Sequence, residues 1–396
     1  MSEDTDVVII GAGPAGLIAA ATLSELGVRY TLFDRDERPG EKKPCGGFIP
    51  SRALEEFEVE HIEGQHEIGS LRMKFPGLDV VRVDFDDVVG VNVRREHLAD
   101  CLARRIDKTQ GNVRLGTEVT NIKVSESGCS VTLSRGSDFE TLTSLLIIDA
   151  SSVNPVTQRF VALRKRPSNS YLGYAIQYHL KRNTEFQNVN DFYYGHEYSP
   201  RGYAWAFPCG KISVVGSGGL IDRVRGDNAR IDDYLRHLIS DVEPTKTDLE
   251  GAELIRREAA LMPLAGIVRP SYGRRILLAG DAACQCSPLS GEGIFYSMVG
   301  GREAAKTSAT CIKKNDFSNH ALSQYEKAWT NIIGSDLKWG LYLQRKFTES
   351  GYKSMGSGFL RSKETSRIIA EMLVGKRAVR SAILKAAPDY IRSKFM

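Results

Sequence analysis

A chain of 396 residues, 42% hydrophobic and 26% charged, has the composition of a folded globular protein with room for two domains, which excludes a disordered or low-complexity chain. No stretch approaches the roughly 20 apolar residues that a spanning helix needs, and the early run from Val7 to Ile10 lacks the basic leader and cleavage site of a secretory signal. The expected location is therefore the cytoplasm. The chain opens with a strand, VVIIG, followed by the turn GAGPAG, a helical run LIAAATLSELG and a second strand, YTLFD, ending at Asp34. Gly11 suits a tight turn, Gly13 a close approach of backbone N–H groups to a pyrophosphate, and Gly16 close packing of helix on strand. Asp34 is placed to hydrogen-bond a ribose hydroxyl. Glycines alone describe an ordinary strand–helix turn, but the acid that follows predicts a dinucleotide site.

Arg95 opens a predicted helix, EHLADCLARRI, after the strand VGVNV, and a guanidinium there can pair with a pyrophosphate. Between about 161 and 271 the segments YLGYAIQYHL, DFYYGHEY, GYAWAFP and KISVVGSGG alternate with period two, predicting an antiparallel sheet with one polar and one apolar face. In YAWAFP the rings of Tyr203, Trp205 and Phe207 fall on one side. Further on, RRILLAGDAA and SPLSGEGIFYSM read as strand, turn and helix. Asp281, after Gly280, is placed to accept ribityl hydroxyls, and the turn with Gly291 and Gly293 brings the positive end of a helix to a pyrimidine edge.

The seven cysteines are scattered and odd in number, which fits a reducing compartment rather than a disulfide framework. Cys284 and Cys286 form a lone CxC with no second pair, so metal and iron–sulfur readings are rejected. The seven histidines form no HxxxH motif and read as surface or core residues. Net charge is +4 overall, but residues 352–396 carry ten Lys/Arg against three Asp/Glu. The basic excess sits in the tail and points to an anionic surface there, not to nucleic acid. In that tail Ile368, Ile369, Met372, Leu373, Val379, Ile383 and Leu384 recur at helical spacing among basic residues. The pattern ends at Pro388, after breaks at the glycines 351, 356 and 358. It describes either a helix packed on the body or an interfacial helix on anionic lipid.

Four stretches carry a family resemblance: GAGPAG with Asp34, KPCGGFIP at 43–50, YAWAFP at 203–208 and AGDAACQCSPLSGEGIFYSM at 279–298. Over roughly residues 5–310 the chain resembles the geranylgeranyl reductase family, within the flavoproteins similar to para-hydroxybenzoate hydroxylase. KPCGG and SGEGIFY look most like the branch acting on chlorophylls and bacteriochlorophylls, with the archaeal lipid reductases as near cousins. The resemblance implies an α/β fold. A Rossmann-type FAD-binding domain (1–60 with 88–160 and 272–320) would be interleaved with a substrate domain on an antiparallel sheet (61–87 with 161–271), followed by a C-terminal helical region (321–396). It implies FAD contacts from Ala15, Asp34, Cys45, Gly46, Arg95, Asp281, Gly293 and Ile294, with the backbone of Val119 near the adenine. Gly47 would let its loop run close to the ring.

The implied activity is FAD-dependent saturation of C=C bonds in a geranylgeranyl chain on a lipid or pigment precursor. An isolated prenyl double bond gives a tertiary cation on protonation, and aromatic faces such as Tyr203, Trp205 and Phe207 stabilise such a cation. Cys45 is the candidate proton donor or relay. Two departures from the family pattern stand out. Ser151 and Ser152 occupy the places of an Asp-Gly pair near the nicotinamide path, which leaves NADPH and ferredoxin both open as electron donor, and Phe48 stands where lipid reductases have glycine. Rival readings are a flavin monooxygenase or halogenase acting on an aromatic substrate, the latter with Lys74 as the lysine to test, and a non-catalytic or quinone-linked electron-transfer flavoprotein.

Overall fold

The structure is a computed structural model that describes residues 4–106, 109, 111–228, 230–350, 359–360 and 362–395. In chain order the elements begin with β1 (Thr5–Ile10), α1 (Pro14–Glu25), β2 (Tyr30–Phe33), β3 (Phe48–Pro50), α2 (Ser51–Glu56), β4 (His66–Ile68), β5 (Ser70–Lys74), β6 (Val81–Asp84) and β7 (Gly90–Asn92). They continue with α3 (Arg95–Ala103), β8 (Gly111–Arg114), β9 (Glu118–Val124), β10 (Cys129–Arg135), β11 (Asp138–Asp149), β12 (Leu172–Lys181), β13 (Val189–Tyr194), β14 (Tyr203–Cys209) and β15 (Ile212–Leu220). The remainder are α4 (Ile221–Gly226), α5 (Ile231–Asp241), α6 (Thr245–Asp248), β16 (Glu253–Pro263), β17 (Tyr272–Gly273), β18 (Ile276–Leu278), α7 (Ile294–Lys314), α8 (Asn319–Ser350), α9 (Lys363–Leu373) and α10 (Val379–Phe395).

Two compact units divide the chain: residues 1–42, 96–167 and 263–338 form one, and 43–95, 168–262 and 339–396 the other. In the first, the sheet runs β17-β18-β11-β1-β2-β8, with β10 and β9 extending from β11 as an antiparallel meander. β1 pairs in parallel with β11 on one side and β2 on the other, and Val7, Val8 and Ile9 have no exposed surface. Burial on both faces is what a near-continuous apolar strand in a parallel sheet requires. Helix α1, rich in alanine, is buried from Pro14 to Ser24. Small residues let α7 lie against it: a Cβ on Gly301 would come within 2.0 Å of the Ala15 carbonyl oxygen.

The second unit carries a seven-stranded sheet, β16-β12-β15-β14-β13-β5-β6. Its pairings are antiparallel from β12 through β13, while β13 and β5 run parallel. The expected polar face is absent, because both faces bury apolar side chains. Ile176, Tyr178 and Leu180 pack with Ile231, Leu235 and Leu238 of α5. On the other face Ala175, Phe192, Trp205 and Phe207 join a cluster that includes Ala370, Leu373 and Val374. The tail therefore supplies the cover that strand alternation alone could not reveal.

The tail differs from expectation in two further ways. The helical pattern breaks at Gly375, whose φ is +73°, giving two helices instead of one. Pro388 does not end the second, because it lies inside α10 on an exposed stretch, where water can satisfy the Leu384 carbonyl that loses its N–H partner. Leu384, assigned to the apolar stripe, is 64% exposed. The glycines 351, 356 and 358 lie outside the described residues.

Candidate active site

The first unit builds a cradle around the N-terminus of α1. Gly11 has φ +103°, and a Cβ there would stand 2.5 Å from the Ala150 carbonyl oxygen. Gly16 is pressed on Gly11 so closely that a Cβ would reach its carbonyl oxygen at 1.8 Å, whereas a Cβ on Gly13 would meet nothing within 4 Å. Gly13 is also the N-cap of α1, with no side chain capping it, so no side chain accepts from the first N–H groups of the helix at its cap. The Asp34 carboxylate accepts the Ala12 N–H at 2.6 Å and the Asp36 N–H at 2.9 Å, one on each oxygen. The turn and the acid are thereby locked together, and each oxygen keeps a lone pair for a further donor.

A second helix start lies in the same unit. Gly280 has φ +66° and sits so close to Ala15 that a Cβ would approach the Ala15 Cβ at 3.1 Å. Its N–H donates to Gln285 Oε1 at 2.7 Å. Gly291 also has positive φ, and Gly293 caps α7 with no side-chain hydrogen bond. A Cβ on Gly293 would lie 3.7 Å from Asp281 Oδ1, so this half-exposed acid stands at the uncapped helix end, and Ile294 beside it is buried. Val119 is buried at a bulge, where Thr132 pairs with Asn121 and Leu133 with Val119, leaving Thr120 over.

The residues at the Asp-Gly places are also accounted for. The fully buried Asp149 carboxylate accepts from Ser151 N at 3.0 Å and Oγ at 2.5 Å, and from Thr157 N at 2.8 Å and Oγ1 at 2.6 Å. Ser152 has φ +82°, so the backbone keeps a conformation that suits glycine although serine occupies it.

FAD fits the cradle of the first unit on two observations, the open approach at Gly13 and two helix N-termini without caps, while Arg95 belongs to the second unit. One terminal nitrogen of the Arg95 guanidinium is buried with no hydrogen-bond partner among the described residues. A bound pyrophosphate is the kind of group that satisfies such a donor.

The second unit carries the aromatic wall. Cross-strand registers align Gln177, Gly216, Trp205, Phe192 and Met73 in one row, with His179, Val214 and Phe207 in the next. The Tyr203, Trp205 and Phe207 rings follow at centroid spacings of 5.7 and 6.4 Å, and Phe192 meets Phe207 edge-on at 5.1 Å. Phe48 extends the wall, 6.4 Å from Phe207, so the side chain standing in a glycine's place is part of it. The Cys45–Gly46–Gly47 loop lies on these rings. A Cβ on Gly46 would be 3.1 Å from Phe207 Cδ2 and 3.3 Å from Trp205 Nε1, while Gly47 has φ +92° and backs onto the Val93 carbonyl. Gly47 N–H donates to Cys45 Sγ at 3.4 Å, and Cys45 is half-buried. The Trp205 indole N–H is buried with no acceptor among the described residues. Lys74 alternates with Met73 and Phe75, which join the cluster around the wall, so it falls on the other face of the sheet.

Sequence reasoning missed Gln177, Glu258 and Gly216. Gln177 Nε2 donates to Glu258 Oε2 at 2.7 Å and to the Cys45 carbonyl at 3.3 Å, and His179 Nε2 meets the same Glu258 oxygen at 3.0 Å. Burial opposes the charge on Glu258, but hydrogen bonds from His179 and Gln177 and the charges of His179 and Arg256 outweigh it, leaving its pKa below normal. Among the described residues no cluster of His, Cys, Asp and Glu is arranged to hold a metal ion.

Residues 4–65 match the family described as FAD binding domain, and residues 172–257 match the geranylgeranyl reductase catalytic domain. The geranylgeranyl diphosphate reductase of Rhodobacter capsulatus is 30% identical, over 78% of this chain and 76% of the relative. A digeranylgeranylglycerophospholipid reductase of Methanocaldococcus jannaschii is 29% identical, over 87% and 88%. A solved structure of a geranylgeranyl bacteriochlorophyll reductase-like protein from Thermoplasma acidophilum aligns with TM-score 0.84 at 20% identity, over 98% of each chain. The flavin-dependent brominase Bmp2 shares the fold at TM-score 0.71 and 16% identity, over 98% of this chain and 99% of that one. The FAD-binding domain and its cradle, in a fold shared with solved flavoproteins, define an FAD-dependent oxidoreductase by the 30% identity to a geranylgeranyl reductase. Within that class, the chain belongs to the geranylgeranyl reductase family.

Proposed function

We propose that the protein saturates isolated C=C bonds of a geranylgeranyl chain carried by a lipid or a pigment precursor. The first unit holds FAD through Gly11, Gly13, Ala15, Gly16, Asp34, Val119, Gly280, Asp281, Gly291, Gly293 and Ile294. The second unit takes the prenyl chain, and its own candidates for cofactor contact are Cys45, Gly46, Gly47 and, for a pyrophosphate, Arg95. The observation that carries this reading is the aromatic wall of Tyr203, Trp205 and Phe207 with a thiol-bearing glycine loop laid on it.

An apolar chain gains nothing from polar walls, but a positive charge developing along it does gain from ring faces, about 1 to 2 kcal/mol each when water is excluded. Cys45 delivers a proton to the less substituted alkene carbon, the charge falls on the tertiary carbon beside the rings, and the thiol is reprotonated from solvent through its half-exposed position. FAD, when bound and reduced, supplies the hydride that completes the saturation. Electrons reach it from NADPH or from a ferredoxin.

No helix of the described residues is long and apolar enough to cross a membrane. A cytoplasmic protein that meets its substrate at a membrane surface agrees with the tail. Leu384 and Tyr390 of α10 are 64% and 40% exposed, and exposed Arg380 and Lys385 lie on the same helix.

The test is an anaerobic assay of the reduced holoprotein with a geranylgeranyl lipid and, separately, a geranylgeranylated pigment. Products two hydrogens heavier per step are expected, and supplying NADPH or ferredoxin in turn identifies the donor. A holoprotein that reduces neither substrate with either donor removes the reading. Liposome binding that weakens with salt and disappears on deleting α10 is the expected result for the tail.

A further inference from the structure

Gln177 is out of place by composition. It is 4% exposed, in a row whose other members are Gly216, Trp205, Phe192 and Met73, and an unpaired amide there would cost more than an apolar side chain of the same size. Its two N–H groups explain its presence. One reaches the Cys45 carbonyl at 3.3 Å and the other Glu258 Oε2 at 2.7 Å. Glu258 is itself fixed, with Arg256 at 2.6 Å on one oxygen and His179 Nε2 at 3.0 Å on the other. Only 9% of its side chain is exposed.

We infer that Gln177 and Glu258 are positioning residues for the reaction: Glu258 anchors the Gln177 amide, which ties down the Cys45 carbonyl and sets where the thiol stands on the aromatic wall. The inference rests on the proposed role of Cys45. The loop's other hold is at Gly47, whose carbonyl accepts the Val93 N–H at 3.0 Å and whose φ is +92°, while Gly46 has no room for a side chain against Phe207 and Trp205. Two successive glycines leave the backbone free to shift, and a displacement of about 1 Å at a proton donor is enough to cost on the order of a hundredfold in rate. A bridging amide removes that freedom without placing a charge beside the rings.

The test uses Gln177→Met, which keeps length and volume while deleting both N–H groups, and Glu258→Leu, which removes the anchor. Each holoprotein is assayed for kcat and KM on the prenyl substrate. Separately, the rate of iodoacetamide labelling at Cys45 is followed on its tryptic peptide. Expected in both variants are a kcat about tenfold lower, a KM within about threefold of the parent, and a Cys45 labelling rate altered by about threefold or more. Glu258→Gln keeps an acceptor oxygen for Gln177 and should stay within about threefold of the parent. The double variant should be no worse than Gln177→Met alone, because the two residues act in one chain. Unchanged kcat and unchanged labelling in Gln177→Met overturn the inference, and so do additive losses in the double variant. Should Gln177→Met fail to fold, Glu258→Leu carries the same two readouts. The labelling arm needs no prenyl substrate, so a parent protein inactive on prenyl chains removes the proposed function, while the labelling rates still decide the network.

Discussion

Trp205 and Gly216 face each other across β14 and β15 with no space between them: a Cβ at position 216 would stand 2.0 Å from Cζ2 of the indole. The glycine is therefore what allows the ring to lie flat on the sheet beside Gln177. Gly216→Ala forces the indole off this place, at a cost of about 1 to 3 kcal/mol for overpacking, and lowers turnover with the FAD content unchanged. Adding Trp205→Phe relieves the clash and recovers most of the lost stability but not the turnover. Melting curves and steady-state rates of the two single variants and the double check this, and additive stability losses would count against it.

If the rings stabilise a developing charge, they act on the transition state more than on the bound chain. Trp205→Ala and Phe207→Ala are then expected to lower kcat by about tenfold each, the equivalent of about 1.4 kcal/mol, while KM moves by less than about threefold. A rise in KM with kcat unchanged would reduce the wall to simple packing.

The cradle offers a sharper separation of folding from binding. Gly11 and Gly16 have backbone atoms at 2.5 and 1.8 Å from any Cβ, so alanine at either disturbs the fold itself. Gly13 has open space and ordinary φ. Gly13→Ala should therefore fold with an unaltered melting temperature in the apoprotein, yet bind FAD at least about tenfold more weakly, because the methyl group occupies the approach of the pyrophosphate. Titration of the apoprotein with FAD, followed by flavin fluorescence, measures this. Equal affinity in parent and variant would remove Gly13 from the site.

Ser152 holds φ +82° at the end of a loop fastened by the buried Asp149. A serine in that region carries strain that glycine does not, so Ser152→Gly is expected to gain about 1 kcal/mol of stability despite its greater unfolded-state entropy. Ser151→Ala, by contrast, deprives Asp149 of a 2.5 Å hydroxyl bond and the Val156 N–H of its 2.8 Å acceptor, and should lose more than Ser152→Gly gains. Denaturant melts of the two variants read opposite signs.

What could be read in the sequence was what lies close together along the chain. The turn at Gly11, the packing glycine at 16 and the acid at Asp34 fall within 24 residues, and the alternation of Tyr203, Trp205 and Phe207 is a period-two pattern inside one strand. The rest depends on pairing between distant strands. Gln177 and Glu258 are 81 residues apart and meet across β12 and β16, and neither segment carries a local sign of the other. Phe192 joins the wall through the register of β13 on β14. His179 looked like any isolated histidine because its partner comes from that same distant strand. Pro388 shows the converse: a strong local rule for ending a helix gave way where solvent could satisfy the freed carbonyl.

The back of the wall sheet titrates in acid. Asp232 at the start of α5 accepts Arg257 Nε and a terminal nitrogen at 2.8 Å each, together with the Tyr178 hydroxyl at 2.6 Å. The Arg257 hydrogen bonds, opposed by partial burial and aided by Tyr178, lower its pKa from 3.8 to about 2. A carboxylate whose pKa is depressed on folding stabilises the native state above its unfolded pKa and loses that contribution as pH falls through the folded value. The Asp232 contribution is thus complete above about pH 4 and declines between about 4 and 2. Asp232→Asn is expected to melt lower than the parent at pH 7, with the gap narrowing as the pH falls through that window, because only the parent has this charge to lose. Thermal melts across that range check it, and a gap that stays constant to pH 2 would show that the Arg257 pair contributes no pH-dependent stability.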